Sequence, residues 1–391
     1  MAVHGGEVHA AAFQTVAGVR QGCVIAPMLF NVFMDFVLKE GLARMEREKG
    51  GPCGVQFEVD GREGVALAAM LYADDLALLS CGLAELRCML HTMDDVSSEM
   101  GLRINAGKTV VVIFGKGAQA DCMREGLKRD PIILRGGAVK VECEFRYLGG
   151  WLHESGKVDR EVTTRVQKAV GVFKSLNGVW SNKKLGLCQK AAVYSTFVVP
   201  HFLYGAETWN CTKAHVLHAE RAHRKCLRHM LGVSLQQHHS SRYLYATCNV
   251  PAMELLLARH RLRWAGHVYR MGDDRSPRLV MPYQKCLVDD KGKSKYVLVE
   301  PVVVGGKRPK GRPQQEFRHT LVDTIEDSCI IGSIDSLASL QLHAQQRGAF
   351  RRLLQEMVLK PPPPPAKPTR VQPSREAKTL ANERMQEQLS G

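Results

Sequence analysis

The stretch LYADDLALLS, residues Leu71 to Ser80, sets two adjacent carboxylates, Asp74 and Asp75, inside an apolar run that extends upstream through GVALAAM. A continuous apolar run reads as buried strand or buried helix, and neither holds two charges without compensation. A β-hairpin resolves the conflict. VALAAMLY and LALLSC form its strands, AD lies near the turn, and the carboxylates stand at the tip. There they can share a divalent cation, which accounts for their charge and their adjacency. An Asp-rich turn facing water is the other reading of the same residues.

With 391 residues, 45% hydrophobic and 24% charged, the chain has ordinary globular composition and length for two or three modest domains. Its net charge of +15 is unevenly placed: residues 1–150 carry −3, residues 151–320 carry +17 and residues 321–391 carry +1. The middle of the chain is therefore the part suited to a polyanion. Twelve cysteines lie scattered without a CxxC pair, a pattern of reduced thiols. The first residues lack a basic segment followed by an apolar core. The longest apolar stretch, KAAVYSTFVVPHFLYGAETW, is broken by Pro200, His201 and Glu207. These features predict an intracellular protein, nuclear or cytoplasmic, with no membrane span.

Along the chain, Leu29, Val32, Phe33, Phe36 and Val37 recur at the spacing of an amphipathic helix entered through Pro27. After the hairpin, residues 82–101 read as a second helix ended by Gly101. TVVVIFG is a short strand, and FRYLGGWL is a turn between short strands. The expectation is an α+β layer, an antiparallel sheet with helices on one face. From Asp159 the pattern becomes helical, with Val162, Val166, Val170 and Phe173 on one face and Arg160, Arg165, Lys168 and Lys174 elsewhere. Further helices are predicted over about 185–204, 213–231 and 252–270. The last interleaves Trp264 and Tyr269 with Arg259, Arg261, Arg263 and Arg270, which suits stacking and phosphate contact. The alternative places the aromatics in a core and the arginines at its rim. After Ser276 periodicity fades, GGKRPKGRPQQ is a basic flexible segment, and one last helix precedes KPPPPPAKP.

YADD stands in a series: GVRQGCVIAPMLFN before it, LRINAGKT about one helix after it, then FRYLGGWL, FLYGAETW and RLRWAGHVYRM. In this order the set resembles the palm and downstream region of a reverse transcriptase of LINE-type non-LTR retrotransposons, over roughly residues 13–320. The resemblance implies a partial palm over 1–155, lacking the fingers and the first catalytic strand, and an all-helical thumb over 156–250. A basic helical and loop region over 251–320, a terminal helix over 321–360 and a Pro-rich disordered tail over 361–391 complete the expected organisation. It also implies Mg²⁺ or Mn²⁺ as cofactor, and an RNA template, a DNA primer and deoxynucleoside triphosphates as partners. The oligomeric state is left open.

Roles follow from the same resemblance. Asp74 and Asp75 match the metal-binding pair, and Tyr72 would pack beside the primer terminus. Gln21 and Gly22, shaped by Arg20 and Pro27, match the loop against the templating base and incoming nucleotide. Lys108 matches the lysine that approaches the phosphates and donates a proton to pyrophosphate. Tyr147, Leu148 and Gly149 match the primer-grip turn. The family's third carboxylate lies on a strand upstream of RQG, where this chain offers Glu7 as the only acid before Arg20. The expectation is an incomplete catalytic set, with duplex binding but no primer extension by residues 1–391 alone. GLRINAGKT is not a phosphate-binding P-loop, since Leu102 stands where that loop needs glycine. Asp35 reads as solvated. Cys211, His215, His218, His223, Cys226 and His229 run along one predicted helix without paired-Cys spacing, against a zinc site.

Overall fold

The computed structural model describes residues 22–58, 66–288, 294–299, 302–303, 317–329 and 334–359. Helix α1 (Ala26–Lys49) begins with proline in its first turn and ends at Gly50 in the left-handed conformation. Strands β1 (Val55–Glu58), β2 (Ala66–Leu67), β3 (Ala69–Tyr72) and β4 (Asp75–Leu78) lead to helix α2 (Leu83–Glu99). Then come β5 (Val110–Val111), α3 (Ala118–Arg129), β6 (Ile133–Leu134), β7 (Gly137–Ala138), β8 (Lys140–Val141), β9 (Glu144–Tyr147) and β10 (Gly150–His153). The next region is helical: α4 (Asp159–Ser175), α5 (Asn177–Ser181), α6 (Leu187–Val193), a π-helical turn at Tyr194–Val198, α7 (Val199–Leu203), α8 (Lys213–Leu231), α9 (Ser241–Cys248) and α10 (Met253–Tyr269). Beyond α11 (Ser276–Leu279) lie β11 (Tyr283–Val288), β12 (Ser294–Val299), β13 (Val302–Val303), α12 (Phe317–Asp327), β14 (Ser328–Cys329), α13 (Leu337–Ala344), α14 (Arg347–Glu356) and β15 (Val358–Leu359).

The α+β character is as expected, but the single antiparallel sheet is not what the described strands make. They form one three-stranded sheet, β13-β1-β2, and six two-stranded pairs, of which β5–β8 is parallel. Most strands are two to four residues long, and three of the pairs, β3–β4, β6–β7 and β9–β10, join sequence neighbours through a tight turn. Hydrogen bonding is thus used locally, and side-chain packing joins the pieces. Val37 and Met45 of α1 pack with Met89, Met93 and Val96 of α2, and Ala68, Leu76 and Leu78 of the Asp-bearing hairpin rest against this cluster. Leu78 and Ile104 also border a second cluster built on Leu90, Ala106, Val111, Leu127 and Leu134.

Three sequence readings need correction. In α1 the buried line is Val37, Gly41 and Met45, four residues apart. The apolar row at Leu29, Val32 and Phe36 is exposed, each above half of its full surface. Helix α4 buries Val162, Val166 and Phe173 as patterned, with Ala169 in place of the half-buried Val170, but it buries Arg165 with them, against Glu161. In α10 three of the four arginines turn inward. Arg261 donates to Thr324 Oγ1 (2.6 Å), Arg259 to the carbonyls of Gln355 (2.7 Å) and Met357 (2.9 Å), and Arg270 to the Ala344 carbonyl (2.8 Å). Tyr269 is buried and donates to the Pro282 carbonyl. Only Arg263 of the four remains exposed for phosphate contact. Arg259 and Arg270 serve as clasps because their donors reach carbonyls at the carboxy-terminal ends of α14 and α13, where helical bonds run out, while Arg261 ties α10 to α12.

The carboxy-terminal part holds more structure than its fading periodicity predicts. β11 and β12 make a six-pair antiparallel hairpin, and the expected last helix divides into α13 and α14 at Gln345–Gln346. GKRPKGRP and residues 361–391 lie outside the described residues. Two larger cores meet within α10: Leu257 belongs to the core of α4 to α9, and Ala258 to that formed with α12, α13 and α14. Among the described residues no helix is long and apolar enough to cross a membrane.

Candidate active site

Strand β3 runs into β4 through a two-residue turn, with Tyr72 opposite Asp75 and Leu71 opposite Leu76. Ala73 and Asp74 are its central residues. Ala73 has φ of 55° while Asp74 does not share the positive value, the pattern of a type II′ hairpin turn. A non-glycine residue in that region carries strain of about 1–2 kcal/mol, and such strain concentrates at functional sites. The turn sets Asp74 and Asp75 on solvent. Among the described residues no ion pair engages either one. Two free carboxylates at an exposed tip are hard oxygen donors that fit Mg²⁺ or Mn²⁺, ions that retain several waters. No cluster of three or more His, Cys, Asp or Glu able to hold a metal occurs among the described residues.

A second tight hairpin is made by β9 and β10, where Tyr147 pairs with Gly150. Leu148 and Gly149 take φ of 47° and 81°, which makes a type I′ turn, the form whose twist matches a two-stranded ribbon. Tyr147 is half-buried. Burial, and then the charge of Asp75, push its hydroxyl pKa above the ordinary tyrosine value. Phe145 lies beside the Tyr147 ring at 5.9 Å between centroids.

The second hairpin is held from below. Glu161 Oε2 accepts from the Trp151 backbone N–H (2.8 Å), Arg165 donates to the Gly149 carbonyl, and the Tyr204 hydroxyl donates to the Leu148 carbonyl (2.7 Å). The Arg165 guanidinium lies 4.2 Å from the Tyr204 ring centroid, and Arg160 covers the Trp151 ring at 3.4 Å. Glu161, Arg165 and Tyr204 were not among the residues the sequence marked for the site. An i,i+4 Glu–Arg pair on an otherwise apolar helix face was the available signal, and Tyr204 stands in FLYGAETW.

The remaining residues fall as follows. Lys108 is exposed in a turn where its N–H donates to the carbonyl (3.0 Å) and side-chain oxygen (3.2 Å) of Asn105. Ile104 and Ala106 anchor that turn in the cluster that Leu78 borders. Gly22 has φ of 86° with open space around it. Neither Lys108 nor Gly22 makes a described contact with the two hairpins, and Arg20 and Gln21 lie outside the described residues. In the helical region Lys168, Lys174, Lys183, Lys184, Arg221 and Lys225 present exposed positive charge. Of the histidines weighed for zinc, His223 is buried between the Tyr194 hydroxyl (2.7 Å) and the Pro251 carbonyl (3.1 Å), His215 meets Asp159 (3.0 Å) and His229 meets Asn177 Oδ1 (3.3 Å).

Residues 4–152 match the family model for reverse transcriptase (RNA-dependent DNA polymerase). A transposon-derived protein of Caenorhabditis elegans is 26% identical over 234 residues, covering 56% of this chain and 76% of its own length. The RNA-directed DNA polymerase from mobile element jockey of Drosophila funebris is 28% identical over 231 residues, or 55% of this chain and 22% of that protein. A Drosophila melanogaster protein described as an RNA-directed DNA polymerase from transposon BS is 25% identical over 269 residues, 65% of this chain and 26% of that one. The chain thus spans about a quarter of each of these two polymerases. Over residues 4–152 the chain is thus similar to reverse transcriptases, and over a longer stretch it is similar to RNA-directed DNA polymerases of Drosophila mobile elements.

Proposed function

We propose that this chain is the palm-and-thumb part of an RNA-directed DNA polymerase that holds an RNA template and DNA primer and, by itself, binds without extending. The observation that carries the reading is the pair of tight hairpins within the matched residues 4–152, one bearing exposed Asp74 and Asp75, the other bearing Tyr147, Leu148 and Gly149. In this reading Asp74 and Asp75 hold Mg²⁺ or Mn²⁺, which would supply charge neutralisation at the triphosphate and activation of the primer hydroxyl. Tyr72 flanks the primer terminus, and Tyr147, Leu148 and Gly149 support its backbone. Gly22, with Arg20 and Gln21 before it, allows the template strand and incoming deoxynucleoside triphosphate to come close, since glycine leaves the backbone accessible. Lys108 approaches the phosphates.

Exposed Lys168, Lys174, Lys183, Lys184, Arg221 and Lys225 supply the phosphate contacts. If each meets one phosphate, log affinity falls against log salt with a slope of about −5. The test uses the purified full chain with an RNA–DNA template–primer. Salt-sensitive binding without incorporation of deoxynucleotides in Mg²⁺ or Mn²⁺ is the expected result. Extension that Asp74→Asn abolishes would refute the inactive reading and establish polymerase activity, while absence of duplex binding at low salt would refute both.

A further inference from the structure

The β9–β10 hairpin has no other strand beside it among the described residues. An isolated two-stranded ribbon is loosely placed unless something packs against it. Here three backbone groups of its turn region, the carbonyls of Leu148 and Gly149 and the N–H of Trp151, are each taken by a side chain from the helical region. The donors and acceptor are Tyr204, Arg165 and Glu161, and they form one connected unit: Arg165 pairs with Glu161 and stacks over Tyr204. Arg165 and Glu161 are only 5% and 4% exposed. Buried ion pairs contribute little net stability against an apolar replacement, and their best-supported use is to specify one arrangement. Beyond their mutual bond, Arg165 Nη2 and Glu161 Oε2 each bond a backbone group of the turn, so the arrangement specified is the placement of the turn on α4.

We infer that Arg165, Glu161 and Tyr204 are positioning residues that fix the Leu148–Gly149 turn on the helical region and thereby set where Tyr147 stands relative to the Asp75 hairpin. The inference rests on the polymerase reading of the two hairpins and adds residues outside the family match, which ends at residue 152. It makes the helical region a determinant of geometry at the primer end. Gly149 is part of the same fit: a Cβ there would stand 3.3 Å from the Tyr204 hydroxyl, on a residue with φ of +81°.

The test compares the full chain with Tyr204→Phe. Tyr204 is about half exposed, so the change removes one hydroxyl without hollowing a core. Hydrogen exchange of amides 147–152 reads the contact directly and is independent of function. Affinity is measured for two RNA–DNA duplexes of equal length, one with a recessed DNA 3′ end beside an RNA overhang and one blunt. The wild-type chain is expected to prefer the recessed end. In the variant, exchange of the turn rises about five-fold, the effect of one neutral hydrogen bond; the preference falls by a similar factor, and blunt-duplex affinity stays unchanged. A wild-type chain that binds both duplexes equally overturns the polymerase reading and the inference with it. A wild-type preference that Tyr204→Phe leaves intact, or a turn whose exchange does not change, overturns the inference alone.

Discussion

Replacing Gly54 by alanine should loosen the hairpin that carries Asp74 and Asp75, although Gly54 is 20 residues away in sequence. Gly54 is buried at the entry to β1 with φ of +99°. A Cβ there would fall onto the backbone of the neighbouring strand, 2.5 Å from the Leu67 carbonyl oxygen and 2.6 Å from the Ala68 nitrogen, against a normal contact of about 3.5–4.0 Å. Backbone cannot rotate away as a side-chain tip can, so β2 or β1 must shift. The left-handed backbone costs a non-glycine residue about 1–2 kcal/mol, and forced overpacking adds about 1–3 kcal/mol. The combined loss of about 2–5 kcal/mol is a large share of the roughly 5–15 kcal/mol available to a domain. Ala68 also accepts the Leu79 N–H (2.7 Å), the bond that closes the base of the hairpin. In urea titration the midpoint should drop by about 1–2.5 M at an m-value of about 2 kcal/mol/M, and the Leu79 amide should lose protection from exchange. Gly51→Ala, where the new methyl meets open space, serves as the control and should change neither. An unaltered midpoint in Gly54→Ala would refute the close-approach argument.

Other expectations follow from the same kind of reasoning. Gly266→Ala in α10 should destabilise by about 1–2 kcal/mol in chemical denaturation, because its Cβ would stand 2.8 Å from Phe350 Cζ in a filled core, which outweighs the gain of about 1 kcal/mol in helix propensity. Adding Phe350→Leu should recover part of the loss. His223 is neutral and fully bonded in the fold, and burial lowers its pKa below the ordinary histidine value, with Glu220 opposing and Arg224 assisting. The unfolded chain therefore takes up a proton below about pH 6.5 that the native state refuses, and stability contributed by neutral His223 is present above that pH and is lost on acidification by up to about 1.4 kcal/mol per unit. His223→Gln should flatten that part of the profile when urea midpoints are compared between pH 7 and pH 5.5.

Local pattern made much of the site legible. Charge within an apolar run gave the Asp74–Asp75 hairpin, and RYLGGW gave the second turn, since the positive φ at Gly149 is what glycine supplies. Helices α1, α2, α4, α8 and α10 followed from apolar spacing and end signals. What stayed hidden depends on partners distant in sequence. The burial of Arg165 is decided by the turn 16 residues before it, and the inward arginines of α10 by carbonyls up to 98 residues away. Spacing on one helix says which side chains share a face, but not which neighbour will cover it. For that reason the row from Leu29 to Phe36 read as core yet is exposed in the described structure.

One uninterrupted helix, α10, is shared by two cores, with Leu257 in one and Ala258 in the other. At 17 residues it is about 25 Å long, and it acts mechanically as an axle seated in two bearings. Twisting one core against the other would require breaking its hydrogen-bond ladder or stripping apolar surface from one seat. The two cores should therefore turn and translate together, and a truncation made anywhere before Met357 leaves half of the axle bare. Removing the carboxy-terminal helices is thus not a neutral trimming of a tail, because it exposes Leu262, Ala265 and Val268 to water and converts a spacer into an adhesive surface.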